Sequence, residues 1–136
     1  ERGLTLVELL AVIVILAIVA IIAFVFIGGV IENSKRDAHI SNALQIIQAA
    51  KIHEASGGDA NGMTVKQLIE GRYLDSVLDP WDKTPYDSVN DNENAAKITK
   101  EGNELKIEGF NSNNGKCNIT ATETELSKGD RDSLCN

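Results

Sequence analysis

The chain has 136 residues, a formal net charge of −7 and an aromatic content of 4%. This length allows one domain with attachments. The acidic balance argues against nonspecific binding to nucleic-acid phosphates, which depends on lysine and arginine, so we expect no direct nucleic-acid contact.

The first element is an apolar segment that begins almost at the start of the chain. None of the 23 residues from Leu9 to Ile31 is charged. About 20 such residues, rising about 1.5 Å each, span a hydrocarbon core of about 30 Å. A soluble core helix would instead show polar residues at the helical period. The segment is therefore predicted to insert into a membrane.

The helical pattern continues beyond this segment but becomes amphipathic. Proline is absent from Leu4 to Ser56, and an apolar stripe follows at helical spacing: Ile40, Ala43, Leu44, Ile47 and Ala50. We predict one helix of about 53 residues, with a membrane half over residues 4–31 and an amphipathic half over 32–56.

The remaining residues, 57–136, are predicted to form a small globular head. Thr64 is a plausible N-cap for a short helix, VKQLIEGRYL, and DPWDKTPYD has the composition of turns. AKITKEGNELKIEGF alternates around a Gly-Asn turn and predicts a β-hairpin. We expect a further strand over CNITATETEL and a loop over SKGDRDSLCN.

The two cysteines, Cys117 and Cys135, lie close to the C-terminal end. An even number of cysteines in a chain with features of export indicates one disulfide and an oxidising compartment. Spacing alone also allows two free thiols.

The order of residues at the N-terminal end is specific. Arg-Gly, then Leu-Thr-Leu-Val-Glu, then an unbroken apolar helix resembles the type III signal of type IV prepilins and pseudopilins. The resemblance implies cleavage by a prepilin peptidase between Gly3 and Leu4 and methylation of the new N-terminus at Leu4. Residues 1–3 are then the remnant of a leader. The family usually has Phe where this chain has Leu4.

Glu8 is the acidic residue at the start of the apolar helix. A carboxylate deep in hydrocarbon costs at least about 2.5 kcal/mol, so it needs a partner or marks a function. The resemblance implies that Glu8 pairs, during filament assembly, with the Leu4 amine of a neighbouring subunit. The alternative is a carboxylate that reaches the membrane surface and has no role in assembly.

A second resemblance lies in QLIEGRYLDSVLDPWDKTPYDSV, which is similar to the segment after the long helix in major pseudopilins. The matching residues are Leu68, Tyr73, Leu74, Asp79, Pro80, Trp81 and Tyr86. Arg72 is inserted beside Gly71, and Asp82 replaces the usual Gly. We expect Trp81 to anchor this loop by packing onto the sheet or the helix.

The cysteine pair resembles the C-terminal disulfide loop of type IV pilins. Major pseudopilins are known to bind calcium near this end of the chain, so Asp130 and Asp132 are candidate ligands. Two acids on a loop are more often simply solvated, and no other cofactor is expected. His39 and His53 lie about four turns apart on one helix, too far to share a metal ion.

The resemblance implies the α+β pilin fold, with the long helix packed on a small antiparallel sheet. It further implies a non-enzymatic subunit that forms a helical homo-oligomer, aided by a membrane platform protein and an assembly ATPase. We expect the cytoplasmic (inner) membrane as the first location and a cell-surface filament as the final one.

Two alternatives to a pilus subunit stay open. The Asp-Pro-Trp segment favours the major pseudopilin of a type II secretion system or a DNA-uptake pseudopilin, whereas the disulfide loop favours the pilus. A monomeric membrane-anchored binding domain is a more distant alternative. Such a domain would need neither Gly3 nor Glu8. The chain also has few aromatic residues to line a binding pocket.

Overall fold

The computed structural model describes the backbone of residues 2–89 and 95–135, and the side chains of residues 5–89 and 95–135. Its first element is helix α1, Arg2–Ala55, with 54 residues. The predicted single long helix is confirmed. Its last turn is closed by Gly57, whose amide donates to the Glu54 carbonyl at 3.0 Å and whose φ of 96° suits glycine.

The chain divides into two compact units, residues 1–34 and residues 35–136, which we call the apolar unit and the packed unit. Within the packed unit, α1 buries one face. The buried hydrophobic residues on that face are Ile40, Ala43, Ile46, Ile47, Ala49 and Ala50, and Leu44 is half-buried against them. The predicted apolar stripe is therefore confirmed.

A short helix, α2, spans Val65–Glu70 and begins at the predicted N-cap. The Thr64 hydroxyl accepts a hydrogen bond from the Gln67 amide at 3.2 Å, and the Gln67 side chain accepts one from the Thr64 amide at 3.0 Å. This reciprocal pair is a capping box, which satisfies two amides that the helix itself leaves unpaired. α2 buries Val65 and Leu68.

The sheet has three antiparallel strands in the order β1-β2-β3. They are β1, Lys97–Glu101, β2, Glu104–Asn111, and β3, Asn118–Thr122. β1 and β2 form the predicted hairpin, which confirms it. The β2–β3 register shifts between Ile107 and Phe110, where Gly109 adopts a φ of 70°, a conformation that suits a bulge.

The core of the packed unit lies where α1, α2 and the sheet meet. The largest side chains that are fully buried there are Tyr86, Phe110, Ile46, Ile47, Leu68, Ile98, Ile107, Ile119 and Leu126. Along the first part of β2, buried and less buried residues alternate, with Leu105 and Ile107 facing the core. The expected α+β architecture, a long N-terminal helix followed by a small antiparallel sheet, is thus confirmed.

The last part of the chain differs from the predicted strand and loop. β3 ends at Thr122, and the residues that follow form helices α3, Glu123–Lys128, and α4, Arg131–Leu134. Thr122 and Glu125 make a second capping box, which starts α3 and ends the strand. The strand prediction was therefore wrong beyond Thr122, and the loop prediction missed α4.

Candidate assembly site

The apolar half of α1, residues 5–31, presents its side chains outward on all sides. Its large hydrophobic residues are exposed from Leu6 to Ile31, and Ala23 alone among its described side chains is half-buried. By length and composition, this is the one helix in the described part of the chain that could cross a membrane. Contact between so much apolar surface and water is unfavourable. Lipid or other protein must therefore surround this half of the helix.

Glu8 lies on this surface and is exposed. It is the one acidic residue among residues 5–31. The predicted cleavage site, Gly3–Leu4, falls where the structure describes the backbone alone, as the first turns of α1. Cleavage there, methylation at Leu4 and pairing by Glu8 stay predictions.

Within the packed unit, residues 79–87, which we call the turn-rich segment, are held by Asp79, which is fully buried. One of its carboxylate oxygens accepts the Trp81 amide at 2.8 Å, and the other accepts the Asn113 amide at 2.6 Å. These bonds satisfy the buried charge and fasten the segment to the turn between β2 and β3. Sequence reasoning predicted the turns but missed this role of Asp79.

Trp81 is half-buried against the core, and its ring packs edge-on against the His39 ring with centroids 5.9 Å apart. This contact agrees with the packing role expected for the one tryptophan of the chain. Asp82 accepts hydrogen bonds from the Thr84 side chain and amide and from the Asn113 side chain. The Thr84 hydroxyl is the main cause of its lowered pKa.

His39 is the buried centre of a hydrogen-bond chain that sequence reasoning missed. Its Nε2 lies 3.1 Å from the Phe110 carbonyl, which can only accept, so Nε2 carries the proton. Its Nδ1 then accepts from the Tyr86 hydroxyl at 2.7 Å, and Tyr86 accepts from Asn42 at 3.0 Å. These hydrogen bonds join α1, the turn-rich segment and β2.

The surroundings keep His39 neutral. Its ring stacks on Phe110 with centroids 4.5 Å apart and an interplanar angle of 9°. Burial lowers the pKa of His39 from 6.5 to about 4, against the smaller opposing effects of the Phe110 carbonyl and the Asp79 charge. The neutral ring therefore serves as a structural donor and acceptor.

Ion pairs tie α1 to the rest of the packed unit. Lys51 pairs with Glu123 at 2.5 Å, Lys100 with Glu54 at 3.0 Å, and Arg131 with Asp37 at 2.9 Å. All of them are partly solvated, so they contribute little to stability. They attach α4, α3 and β1 to α1 at Asp37, Lys51 and Glu54, respectively.

The predicted disulfide joins Cys117 and Cys135, which confirms it and leaves no free cysteine in the chain. The two cysteines are 18 positions apart in the sequence, and the loop between them contains α3 and α4. The bond thereby holds the C-terminal end, whose α4 contributes Leu134 to the core.

The two candidate calcium ligands, Asp130 and Asp132, are both exposed at the start of α4. Within residues 2–89 and 95–135, no three His, Cys, Asp or Glu side chains are grouped closely enough to hold a metal ion. The calcium prediction stays untested.

One comparison with known proteins gave a match. Residues 1–24 match the family model described as the prokaryotic N-terminal methylation motif. No curated protein and no solved structure matched the chain. The matched residues cover the predicted cleavage site, Glu8 and the first part of the exposed apolar half.

Proposed function

We propose, from the type IV prepilin and pseudopilin signature that residues 1–24 carry, that this chain is the structural subunit of a type IV pilus filament. The signature implies processing by a prepilin peptidase and association with a membrane. It also points to a structural protein and not to an enzyme. The filament itself, and the residues that build it, belong to the proposal.

The observation that carries the proposal is the apolar surface of α1, which begins within the matched motif. From Leu6 to Ile31 the large hydrophobic side chains are exposed around the whole helix. A single membrane anchor needs such a surface only against lipid. A subunit that leaves the membrane needs other copies to cover it, and packing α1 against α1 in a common filament core covers it on every side.

Glu8 gives this packing its direction. Cleavage after Gly3 creates a positive amine at Leu4, and the carboxylate of Glu8 on an adjacent copy neutralises it. In the dry core of a filament, low dielectric strengthens this attraction, and each charge removes the desolvation cost of the other. A subunit whose Glu8 meets no amine leaves a buried charge unpaired, so misplaced additions are unfavourable.

The proposed route has three steps. The prepilin enters the cytoplasmic membrane through α1, the peptidase removes residues 1–3 and methylates Leu4, and a platform protein with an assembly ATPase adds the subunit to the filament. The packed unit then covers the filament surface. Its disulfide, between Cys117 and Cys135, suits an extracellular position.

A second candidate is the pseudopilus of a type II secretion or DNA-uptake system. The turn-rich segment that Asp79 fastens favours it, because its sequence is similar to that of major pseudopilins. The C-terminal disulfide loop favours the pilus. The third candidate is a monomeric membrane-anchored binding domain. Such a domain would not require the methylation motif that residues 1–24 match.

The proposal is tested by isolating the protein from cells that produce it. Filaments sheared from the cell surface should contain this chain, and mass spectrometry should find it beginning at Leu4 with one added methyl group. A mature chain that retains Arg2 and Gly3, or that is cut after the apolar half, would contradict the proposed processing. Correctly processed protein found in the membrane as a monomer under all conditions would support the anchored-domain alternative.

A further inference from the structure

A groove of about 410 Å³ runs along the exposed face of α1 within the packed unit. One wall is α1 from Ser41 to Ile52, and the other is the segment Tyr73–Val77. The helical wall extends over about three turns, or about 16 Å. This length suits a second helix lying in the groove better than a small molecule.

The two walls run in opposite directions and are held at both ends. At one end the Tyr73 ring packs against His53 with centroids 4.9 Å apart. At the other end Asn42 donates a hydrogen bond to the Leu78 carbonyl at 3.2 Å. The groove is therefore a formed feature, with Leu44, Ala49 and Val77 among the residues that line it.

The lining of the groove is almost uncharged. Asp75 is the one charged residue among the 11 that line it, whereas 30 of the 105 residues from Glu32 onward are charged. Depletion of charge at the centre of a surface patch is characteristic of protein interfaces. Gln45 and Gln48, whose side chains are exposed and uncharged, also line it.

Apolar side chains mark both ends of the groove. Ile52 is 55% exposed and lines it, and Leu78, which follows the lining residue Val77, is 50% exposed. Among the described residues of the packed unit, these are the two large hydrophobic side chains that remain exposed. Their position at the groove indicates a surface that another apolar surface covers.

We infer that the occupant of this groove is the apolar half of α1 from a second copy of the chain, an inference that rests on the proposed filament. The groove is uncharged and accepts a helix, and the chain itself supplies an uncharged exposed helix from Leu9 to Ile31. Each copy then carries both parts of a head-to-tail contact, and such contacts propagate into an open helical polymer.

The turn around Phe24 supplies an exposed aromatic side chain for this contact. Phe24 is 83% exposed, and Gly28, one turn later, has open space where a side chain would stand. Ile27 and Ile31 lie on the same side of the helix by their spacing. An aromatic anchor beside a glycine fills a groove and also allows two helix backbones to approach closely.

Photocrosslinking in assembled filaments tests the contact. Phe24 is replaced by p-benzoylphenylalanine in the full chain, as the sole copy in the cell, and the irradiated filaments are digested with trypsin. We expect crosslinks between copies to the tryptic peptides 37–51 or 73–83, which contain the two walls. Phe26, about 160° away around the helix, is the control and should give at most about a tenth of those crosslinks.

Crosslinks from position 24 that reach only residues 5–31 of other copies, or only lipid, would overturn the assignment. A charge in the groove gives an independent test. Gln45→Glu should lower the filament yield about tenfold, because the new carboxylate would be buried against the second copy. Ala38→Glu, at an exposed position outside the groove on the same helix, should not lower it.

Both variants should keep the wild-type melting temperature of the packed unit, since both positions are exposed. Equal filament yields from Gln45→Glu and Ala38→Glu would also reject the groove contact. The proposed function has its own test. If the wild-type chain forms no filaments, or if Glu8→Ala leaves their yield unchanged, the proposed function is wrong. The groove contact is then wrong as well, because it depends on the filament. Filaments that depend on Glu8 but show no groove crosslinks overturn the groove contact alone.

Discussion

The apolar half of α1 and the packed unit differ in what covers their apolar side chains. Both contain helix with many Ile, Leu, Val and Ala residues, but the packed unit buries them internally, whereas the apolar half exposes them from Leu6 to Ile31. The packed unit therefore carries the contacts for its own stability. The apolar half needs partners outside the chain, either lipid or other copies.

This difference predicts which property a mutation in each region should change. A substitution in the packed unit should change the free energy of unfolding and leave membrane insertion intact. A substitution in the apolar half should change insertion or assembly and leave the fold of the packed unit intact. Trp81 makes this separation measurable, because it is the one tryptophan and is half-buried against the core of the packed unit.

The largest effect on unfolding is expected for Phe110→Ala. Phe110 is fully buried and stacks on His39, so its removal leaves a cavity and should destabilise the packed unit by about 3–5 kcal/mol. Thermal unfolding of the full chain in detergent, followed by Trp81 fluorescence, measures this. Phe24→Ala is the control and should leave the transition unchanged. An equal shift from both variants would contradict the separation of the two units.

Acid should destabilise the packed unit through His39. Because the pKa of His39 is about 4 when folded and 6.5 when unfolded, the unfolded chain binds the extra proton first as the pH falls. Stability is therefore complete above pH 6.5 and decreases down to about pH 4, by about 3 kcal/mol in total. Asp82, whose pKa is lowered mainly by the Thr84 hydroxyl, adds its own loss of stability as the pH falls.

Comparison with His39→Gln isolates the histidine in that profile. The variant should be less stable at pH 7 but should show a flatter dependence of stability between pH 6.5 and 4. Denaturant unfolding at each pH, followed by Trp81 fluorescence, gives both curves. Parallel curves for the wild type and the variant would show that His39 is not the group that titrates.

Reduction of the disulfide should have an effect of similar size. Opening the loop between two cysteines that are 18 positions apart removes about 3 kcal/mol of stability according to the chain-entropy account. The melting temperature of the packed unit should fall in reducing agent, with no change in membrane insertion of α1. Alkylation of two thiols in native, unreduced protein would contradict the bond between Cys117 and Cys135.

Loss of a helix cap should give the smallest effect of this series. Thr64→Ala and Thr122→Ala each remove a capping box and should cost about 1 kcal/mol. Ser127→Ala, an exposed position within α3, is the matched control and should change stability by less than about 0.5 kcal/mol. Equal losses at Thr122 and Ser127 would show that the capping bonds contribute no measurable stability.

Local patterns predicted most of the elements. The spacing of Ile40, Ala43 and Ile47 predicted the buried face of α1, and the Gly-Asn turn predicted the hairpin of β1 and β2. Each of these signals depends on residues close in sequence. The end of β3 was also readable, because Thr122 and Glu125 have the spacing of a capping box that starts a helix.

Contacts between distant residues could not be read in this way. His39 stands on a polar turn of the sequence, and its burial depends on Tyr86 and Phe110, which are 47 and 71 residues away. Asp79 is similar, since its second oxygen is satisfied by the Asn113 amide across the fold. Such pairings follow from the tertiary arrangement and leave no periodic signal.

The proposed filament role depends most directly on Glu8, and the test is the filament yield of Glu8→Ala as the sole copy in the cell. We predict that this variant is inserted, cleaved after Gly3 and methylated at Leu4 as in the wild type, because those steps depend on the apolar helix and Gly3. Removing one partner of a buried charge pair costs about 3–5 kcal/mol, so filaments should decrease by at least about a hundredfold. Glu8→Asp should be intermediate, because it keeps the charge on a shorter side chain. Wild-type filament yield from correctly processed Glu8→Ala protein would contradict the account.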